Sequence, residues 1–321
     1  MSRSAKPPGR SDPASLHMPV MAGQVVAGLV TDPGALYIDG TLGMGGHTRA
    51  LLAALSPKGS IVGFELDTAA FARVDPLRSV LGSRVTFVRG SYAGLPRYLR
   101  EIHVSQVQGI LLDLGLSSFT LEQSGRGFTF RRDEPLDMRF DASRDAPLSE
   151  RLTLWPQEKI TEILQLYGEV RRARGIGAAI AGRARTGAMR TTFDLVEAVG
   201  ETAKGPEKNK TMARVFQAFR IEINDELRTL ETFLGHLPAL LVAGGRAAII
   251  SFHSLEDRIV KRFLARESVD CICPPKLPVC ECGHVASMVA LNRKPLTPDA
   301  EDLAANPRSR SAKLRIMERL P

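Results

Sequence analysis

The chain has 321 residues, 44% of them hydrophobic, enough to bury a large core in one large domain or two. No apolar run approaches the roughly 18 residues that a bilayer span needs, so a transmembrane reading is excluded. A net charge of +8 favours an anionic partner, and at this point nucleic acid and a merely basic soluble protein are both open.

Residues 1–15, beginning MSRSAKPPGRSDP, lack the apolar h-region of a secretory signal and are expected to form a disordered basic tail. The strand–helix alternation opens with ALYIDGTLGMGGHTR at 35–49. An apolar run, Ala35–Ile38, ends in Asp39. A glycine-dense turn follows with Gly40, Gly43, Gly45 and Gly46, and Thr48 opens a helix. A buried strand feeding a glycine turn and a helix N-terminus is how α/β proteins bind adenosine-containing cofactors, because glycine admits a ligand close to the backbone and the first helical amides face it. Thr48 stands where the third glycine of the dinucleotide fingerprint would be, so the loop alone leaves the cofactor's identity open.

Three more short apolar strands follow. Residues 60–64 end at Glu65, 85–88 run into Arg89-Gly90-Ser91-Tyr92, and 109–112 end in Asp113. Strands separated by helical stretches predict a parallel sheet covered on both faces, with ligands at the carboxyl ends of its strands. Asp39, Glu65, Tyr92 and Asp113 are therefore expected along one edge.

From about Ser124 the texture changes. GRGFTFRRDEPLDMRFDASRD predicts a long ordered loop. A helix follows with Ile160, Ile163, Leu164 and Tyr167 on one face and Gly168 as its stop, then a short helix at 191–199 and a solvated linker at 204–210. One long helix is expected from Thr211, with Phe216, Phe219, Ile223, Leu227, Leu230 and Leu234 at steps of three and four. The sheet resumes with a helix end at 240–243, a tight turn at Gly244-Gly245 and a strand at 246–251. A helix over 255–265 comes next, with Ser254 and Asp257 as a capping box and Asp257 paired to Lys261. A last strand spans 313–317.

All four cysteines, Cys271, Cys273, Cys280 and Cys282, fall in one segment with His284 close by. In an intracellular chain such a cluster suggests zinc more than disulfides, but C-x-C is a tighter bite than the usual C-x-x-C. That weighs towards thiols in a structural loop ordered by Pro274, Pro275 and Pro278, with zinc as the alternative.

An acid about twenty residues beyond a glycine loop holds ribose hydroxyls, since a carboxylate accepts two hydrogen bonds from a vicinal diol. Glu65 fits that place, which suits NAD, FAD or S-adenosylmethionine. Tyr92 positioned to flank an adenine, Asp113 at the edge where a methyl acceptor would sit, and the Gly-Gly unit at 240–251 favour S-adenosylmethionine.

The chain resembles the ribosomal RNA small subunit methyltransferase H family, through long runs in order over most of its length. These are HMPVM at 17–21, IDGTLGMGGHTRALL at 38–52, GILLDLGLSS at 109–118, RGF-x-F and PLDMRFD within 126–141, YGE at 167–169, RVFQAFRI and NDEL within 214–227, SFHSLEDRIVKRF at 251–263 and NPRSRSAKLR at 306–315. The resemblance implies an α/β fold, a Rossmann-like class I methyltransferase sheet with an inserted small all-helical domain. Residues 16–123 plus 222–321 would bind S-adenosyl-L-methionine, and 124–221 would recognise substrate. The implied reaction methylates the exocyclic N4 of a cytidine in the decoding region of 16S rRNA, in the cytoplasm and without a membrane. A monomer and a homodimer are both open.

By the same resemblance Gly43, Gly45, Gly46 and His47 would line the cofactor, Glu65 would take the ribose, Tyr92 would pack on adenine, and Asp113 would lie by the reacting centre. Asp113 is the first candidate acceptor for a hydrogen bond from N4, helped by main-chain carbonyls of Leu114–Ser117, which brings in Ser117. His253 is a further catalytic candidate, although a histidine at a strand end commonly serves structure. Arg131, Arg139, Arg220, Asn224, Arg308 and Arg310 are candidate RNA contacts, and Phe128 and Phe130 serve either stacking or the core. The chain departs from the family at Gln24, Glu65, Gln108, Thr120 and the KTMA run at 210–213. Thr120 stands where an amide would contact the cofactor. These departures motivate an alternative, an RNA- and nucleoside-binding module with lost or altered turnover. A small-molecule methyltransferase is disfavoured by the large basic insertion.

Overall fold

A sheet of seven strands organises the chain: β1 (Leu36–Asp39), β2 (Ser60–Glu65), β3 (Val85–Arg89), β4 (Val107–Asp113), β5 (Leu241–Ser251), β6 (Met288–Ala290) and β7 (Lys313–Arg319), in the order β3-β2-β1-β4-β5-β7-β6. The computed structural model describes residues 19–73, 75–274, 277 and 279–321; the tail at 1–15, His17, Pro275 and Pro278 lie outside the described residues. The first five strands are parallel, as the strand–helix alternation predicts. The fully parallel sheet is corrected at its end, because β7 runs antiparallel to both β5 and β6. The return from β6 to β7 holds just the short helix Ala300–Ala305 and a 3-10 turn at Pro307–Ser311, and an antiparallel neighbour needs no helical crossover. Five parallel strands with helices between them and an antiparallel pair at one end make a Rossmann-like α/β sheet.

Successive residues of each central strand point to opposite faces, so a strand covered on both sides reads as an unbroken apolar run. In β4, Leu111 joins Val25, Leu29, Leu51 and Ile250 in one core, while Ile110 and Leu112 join Phe64, Leu237 and Ile249 in the other. A third core is built entirely from residues between 128 and 223, among them Leu136, Ile163, Ile176, Leu195 and Phe219. Phe128 is buried in it and Phe130 packs edge-on against Phe216, so both serve packing.

Several local expectations are corrected. The helix Ala173–Arg185 was not foreseen, because its run of alanines, glycines and arginines has a weak apolar stripe. The linker at 204–210 is shorter, with a single 3-10 turn at Gly205–Glu207 before a helix begins at Lys208. The expected long helix is two, Lys208–Asn224 and Glu226–Leu240, broken at Asp225 with φ 52° and ψ 38°. The apolar period continues across the break, but it serves two cores. Phe216, Phe219 and Ile223 belong to the helical core, whereas Leu230 and Leu234 belong to the sheet.

Gly244-Gly245 is not a turn between helix and strand. Both lie within β5, where the register against β4 jumps from Val107↔Leu241 to Gly109↔Arg246, and Gly244 takes φ 73° to absorb the extra residues. Gly168 follows the helix Gln157–Leu166, but the left-handed residue is Glu169, at φ 48°. The capping box of the helix Ser254–Glu267 is formed by His253 and Glu256, one residue earlier than expected. Asp257 pairs not with Lys261 but with Lys313 at 2.9 Å and Arg315 at 2.8 Å on β7. A folded strand alongside offers two cations at once, which outcompetes a single exposed helical neighbour.

Candidate active site

The glycine loop is stitched to the two strands beside β1. Gly40 N–H donates to Leu111 O, Leu42 N–H to Phe64 O, and the Asp113 amide to Thr41 Oγ1 at 2.6 Å. Asp39 is wholly buried and does not face the cleft. Its Oδ2 accepts from the Thr48 hydroxyl at 2.6 Å and its Oδ1 from the Thr41 amide, tying loop to helix start. Gly43 and Gly45 take φ 51° and 72°, the left-handed region that a side chain would strain.

The loop's shape hands one amide to Glu65. Gly43 N–H donates to Oε2 at 2.8 Å and Asp67 N–H to Oε1 at 2.7 Å, which leaves each carboxylate oxygen a second lone pair. Burial raises the Glu65 carboxyl to about 7 against the pull of those amides. At the end of β4, Asp113 lies with Oδ2 3.5 Å from His47 Nε2. Neither ring nitrogen of His47 nor Asp113 Oδ1 has a hydrogen-bond partner, although all three atoms are buried. Burial opposes the imidazolium of His47, but Asp113 and Asp39 outweigh it and raise its pKa.

Tyr92 stands edge-on to Phe233, ring centroids 5.2 Å apart. Burial, and then the nearby Glu226 and Glu256, raise its phenol and hold it neutral. Thr120 is buried between Ser117 Oγ at 2.9 Å and Asp67 Oδ2, to which it donates at 3.2 Å. The Ser117 hydroxyl also caps the helix Ser118–Glu122 by accepting from the Thr120 amide.

These groups line one side of a cleft of about 1270 Å³, and the helical insertion lines the other. Gly43, Gly46, His47, Glu65, Tyr92, Asp113, Ser117 and Thr120 border it, while Gly45 sits behind them as the helix N-cap. Across from them stand Arg139, Arg220 and Asn224, with Arg308 at the rim. Arg139 forks onto Asp137 at 2.6 and 2.9 Å and donates to the carbonyls of Arg144 and Asp145. Arg220 is ion-paired to Glu226 at 2.8 Å, both largely out of solvent. Asn224 accepts from the Phe140 amide and donates to Met138 O, fixing the 138–140 turn. Arg308 meets Glu122 at 2.5 Å.

The structure does not bring every candidate into the cleft. Arg131 is exposed at a shallower hollow of about 360 Å³ that Arg132 and Arg308 also border. Arg310 is exposed and has no side-chain partner among the described residues. His253 lies outside the cleft, its Nδ1 accepting from the Glu256 amide at 3.3 Å. The four cysteines also lie away from it.

Two positioning residues escaped the sequence reading. Asp67 caps the helix Thr68–Phe71, accepts from Thr120, and forms an ion pair with Arg126, which in turn donates to the carbonyls of Arg139 and Phe140. One buried carboxylate thus joins the end of β2 to the insertion. The signal available was Asp67 before Thr-Ala-Ala, an N-cap pattern.

With that geometry in place, comparison with known proteins decides the family. A profile of the MraW methylase family matches residues 14–320. The chain belongs to the MraW methylase family. Its relatives include "Ribosomal RNA small subunit methyltransferase H" of Geobacter sp. (strain M21), 41% identical over 307 residues, covering 95% of this chain and 98% of that one. The same-named protein of Syntrophotalea carbinolica is 42% identical over 307 residues with the same coverage, and that of Heliobacterium modesticaldum 41% identical over 311 residues, 95% and 98%. For an MraW methylase, two of the departures are remote from the cleft. Gln24 reaches Asp302 at 3.5 Å and Gln108 donates to Thr31 at 2.7 Å. Met212 of the KTMA run is buried in the helical core. Only Glu65 and Thr120 border the cleft. No helix among the described residues is long and apolar enough to cross a membrane.

Proposed function

We propose that this methylase transfers the methyl group of S-adenosylmethionine to the exocyclic N4 of a cytidine in 16S rRNA of the small ribosomal subunit, in the cytoplasm. The observation that carries this reading is the single cleft of about 1270 Å³ walled by the glycine loop on one side and the helical insertion on the other. Ordinary small-ligand pockets hold about 300–1,000 Å³, so this one has room for a donor and a splayed base together. The names of the relatives support the rRNA substrate.

The residues fit the donor. Glu65 keeps free lone pairs for a vicinal diol, the glycine loop lets a ligand lie against the backbone, and Asp113 and His47 present buried polar atoms without partners. When bound, S-adenosylmethionine supplies a methyl activated on a sulfonium. Neutral Tyr92 offers a flat wall for adenine beside Phe233.

A cytosine amine is a weak nucleophile because its lone pair is delocalised into the ring. Asp113 Oδ1 accepts a hydrogen bond from N4–H, aiming the nitrogen and taking the proton late as it rehybridises. His47 steadies the other oxygen, and the carbonyls of 114–117 add acceptors. The base must leave its stack to reach them, so the target is single-stranded or flipped.

Tritiated-methyl transfer to 30S subunits lacking the modification, followed by nucleoside digestion, tests the reading. Label in N4-methylcytidine is expected. Transfer only to small molecules, or donor binding with no transfer to the subunit, overturns it.

A further inference from the structure

The connection between the helix Ser254–Glu267 and β6 has almost no core beneath it. Ile272, Val279 and Val285 are exposed, so apolar burial does not order this segment. What converges there is sulfur. Cys280 Sγ lies 3.5 Å from Cys271 Sγ, 3.6 Å from Cys282 Sγ and 4.0 Å from Cys273 Sγ, and Cys271 to Cys282 is 3.9 Å. All four sulfurs fall within 4.8 Å of one another.

We propose that Cys271, Cys273, Cys280 and Cys282 form a tetrathiolate zinc site that staples this connection to the fold. A Zn–S bond of about 2.3 Å in a tetrahedron sets the S···S edges at about 3.8 Å, and the observed edges bracket that value. A disulfide pairs sulfurs two by two at about 2.05 Å, whereas here one sulfur is near-equidistant from three others, the arrangement of a shared centre. Backbone amides already point at the sulfurs as they do around metal thiolates. Ile272 and His284 donate to Cys282 Sγ at 3.4 and 3.5 Å, and Cys273 donates to Cys271 Sγ at 3.4 Å. The all-sulfur set selects a soft tetrahedral ion, and His284 is outside it, its Nε2 bonded to Arg266 O at 2.9 Å.

The ends of the segment are fastened for such a staple. Ser287 N–H donates to Glu267 O and its hydroxyl to the Glu267 carboxylate, while the Ala286 amide meets Asp270. Zinc therefore locks the helix Ser254–Glu267 to the sheet's edge strand β6 and takes no part in the cleft. Each thiol gives its proton to solvent as its Zn–S bond forms, four protons in all, so the metal is lost as pH falls.

The full-length protein, purified reduced and dialysed against zinc, is expected to carry one zinc per chain by elemental analysis. A mercurial thiol reagent should release that zinc in step with thiol titration. Cobalt(II) added to the zinc-stripped protein should give tetrahedral thiolate absorption bands that zinc then quenches. The Cys273→Ser/Cys282→Ser variant should lose the metal while its affinity for S-adenosylmethionine is unchanged. Iron in place of zinc, disulfides in protein kept under reductant, or zinc well below one per chain without tetrahedral cobalt bands overturns the proposal. The metal measurements on the wild-type chain stand even if the variant fails to fold.

Discussion

On the sheet side of the cleft, Glu65 keeps lone pairs beyond its two amide partners and Asp113 Oδ1 has no hydrogen-bond partner among the described residues. On the insertion side, Arg139, Arg220 and Asn224 are committed to the chain's own carboxylates and carbonyls. One wall offers polar groups that only a ligand can complete, and the other is a finished frame. The difference assigns separate work to the two. On the proposed reading, recognition of charge falls to exposed cations outside the cleft, such as Arg131 and Arg310, while the chemistry stays with the unfinished wall.

The strongest way to break this division is Asp113→Ala. Removing an oriented acceptor at the reacting centre should lower kcat by about 10³-fold with the fold intact by circular dichroism. Near-normal turnover would move the chemistry off the sheet wall. Next in size is Arg126→Ala, which leaves Asp67 buried without its cation and should cost about 3 kcal/mol in urea unfolding. A loss below about 0.5 kcal/mol, the range of an ordinary surface change, would show that this ion pair does not join the walls.

Glu65→Gln should weaken donor binding about 10- to 100-fold by calorimetry, since it exchanges a charged acceptor of two hydroxyls for a neutral amide. Its pH dependence sharpens the test. The carboxyl sits at about 7 in the folded protein against an ordinary 4.5, so the folded state holds an extra proton between those values. Stability of the ligand-free chain should therefore fall as pH rises across that window, and the slope should be shallower in Glu65→Gln, where buried Asp39 and Glu226, also raised by desolvation, still contribute. Donor affinity should rise over the upper part of the window, as the better acceptor, the carboxylate, is populated. The smallest effect belongs to the rim. Arg131→Ala should weaken RNA binding several-fold, lower its salt slope by about 1 and leave donor affinity alone. A loss of turnover in that variant at saturating RNA would erase the contrast between the walls.

How much of this was legible in the sequence follows from the range of the interactions. β1 to β4, the glycine loop and the placement of Glu65, Tyr92 and Asp113 at strand ends follow from local apolar runs and turn residues. What periodicity does not encode is which side of a kink a stripe faces, so one helix was expected where Asp225 makes two. Nor does composition tell a cation waiting for a phosphate from one already paired. Arg220 and Arg139 read as RNA contacts in the sequence, and the structure pairs them with Glu226 and Asp137. The capping box slipped by one residue because histidine is not among the usual N-cap residues. Asp67 and Arg126 are 59 positions apart, so their meeting is a property of the fold alone.

The break at Asp225 also fixes something larger than a helix boundary. Carried straight on, the helix from Lys208 would take Leu230 and Leu234 away from the sheet. The left-handed turn folds that stripe back, and Asn224, Asp225 and Glu226 line the corner it leaves. The aperture between donor wall and acceptor wall is thus an angle written in one pair of backbone torsions. A substitution there would reshape the reaction chamber while leaving the donor-side groups, Glu65 and Asp113, as they are.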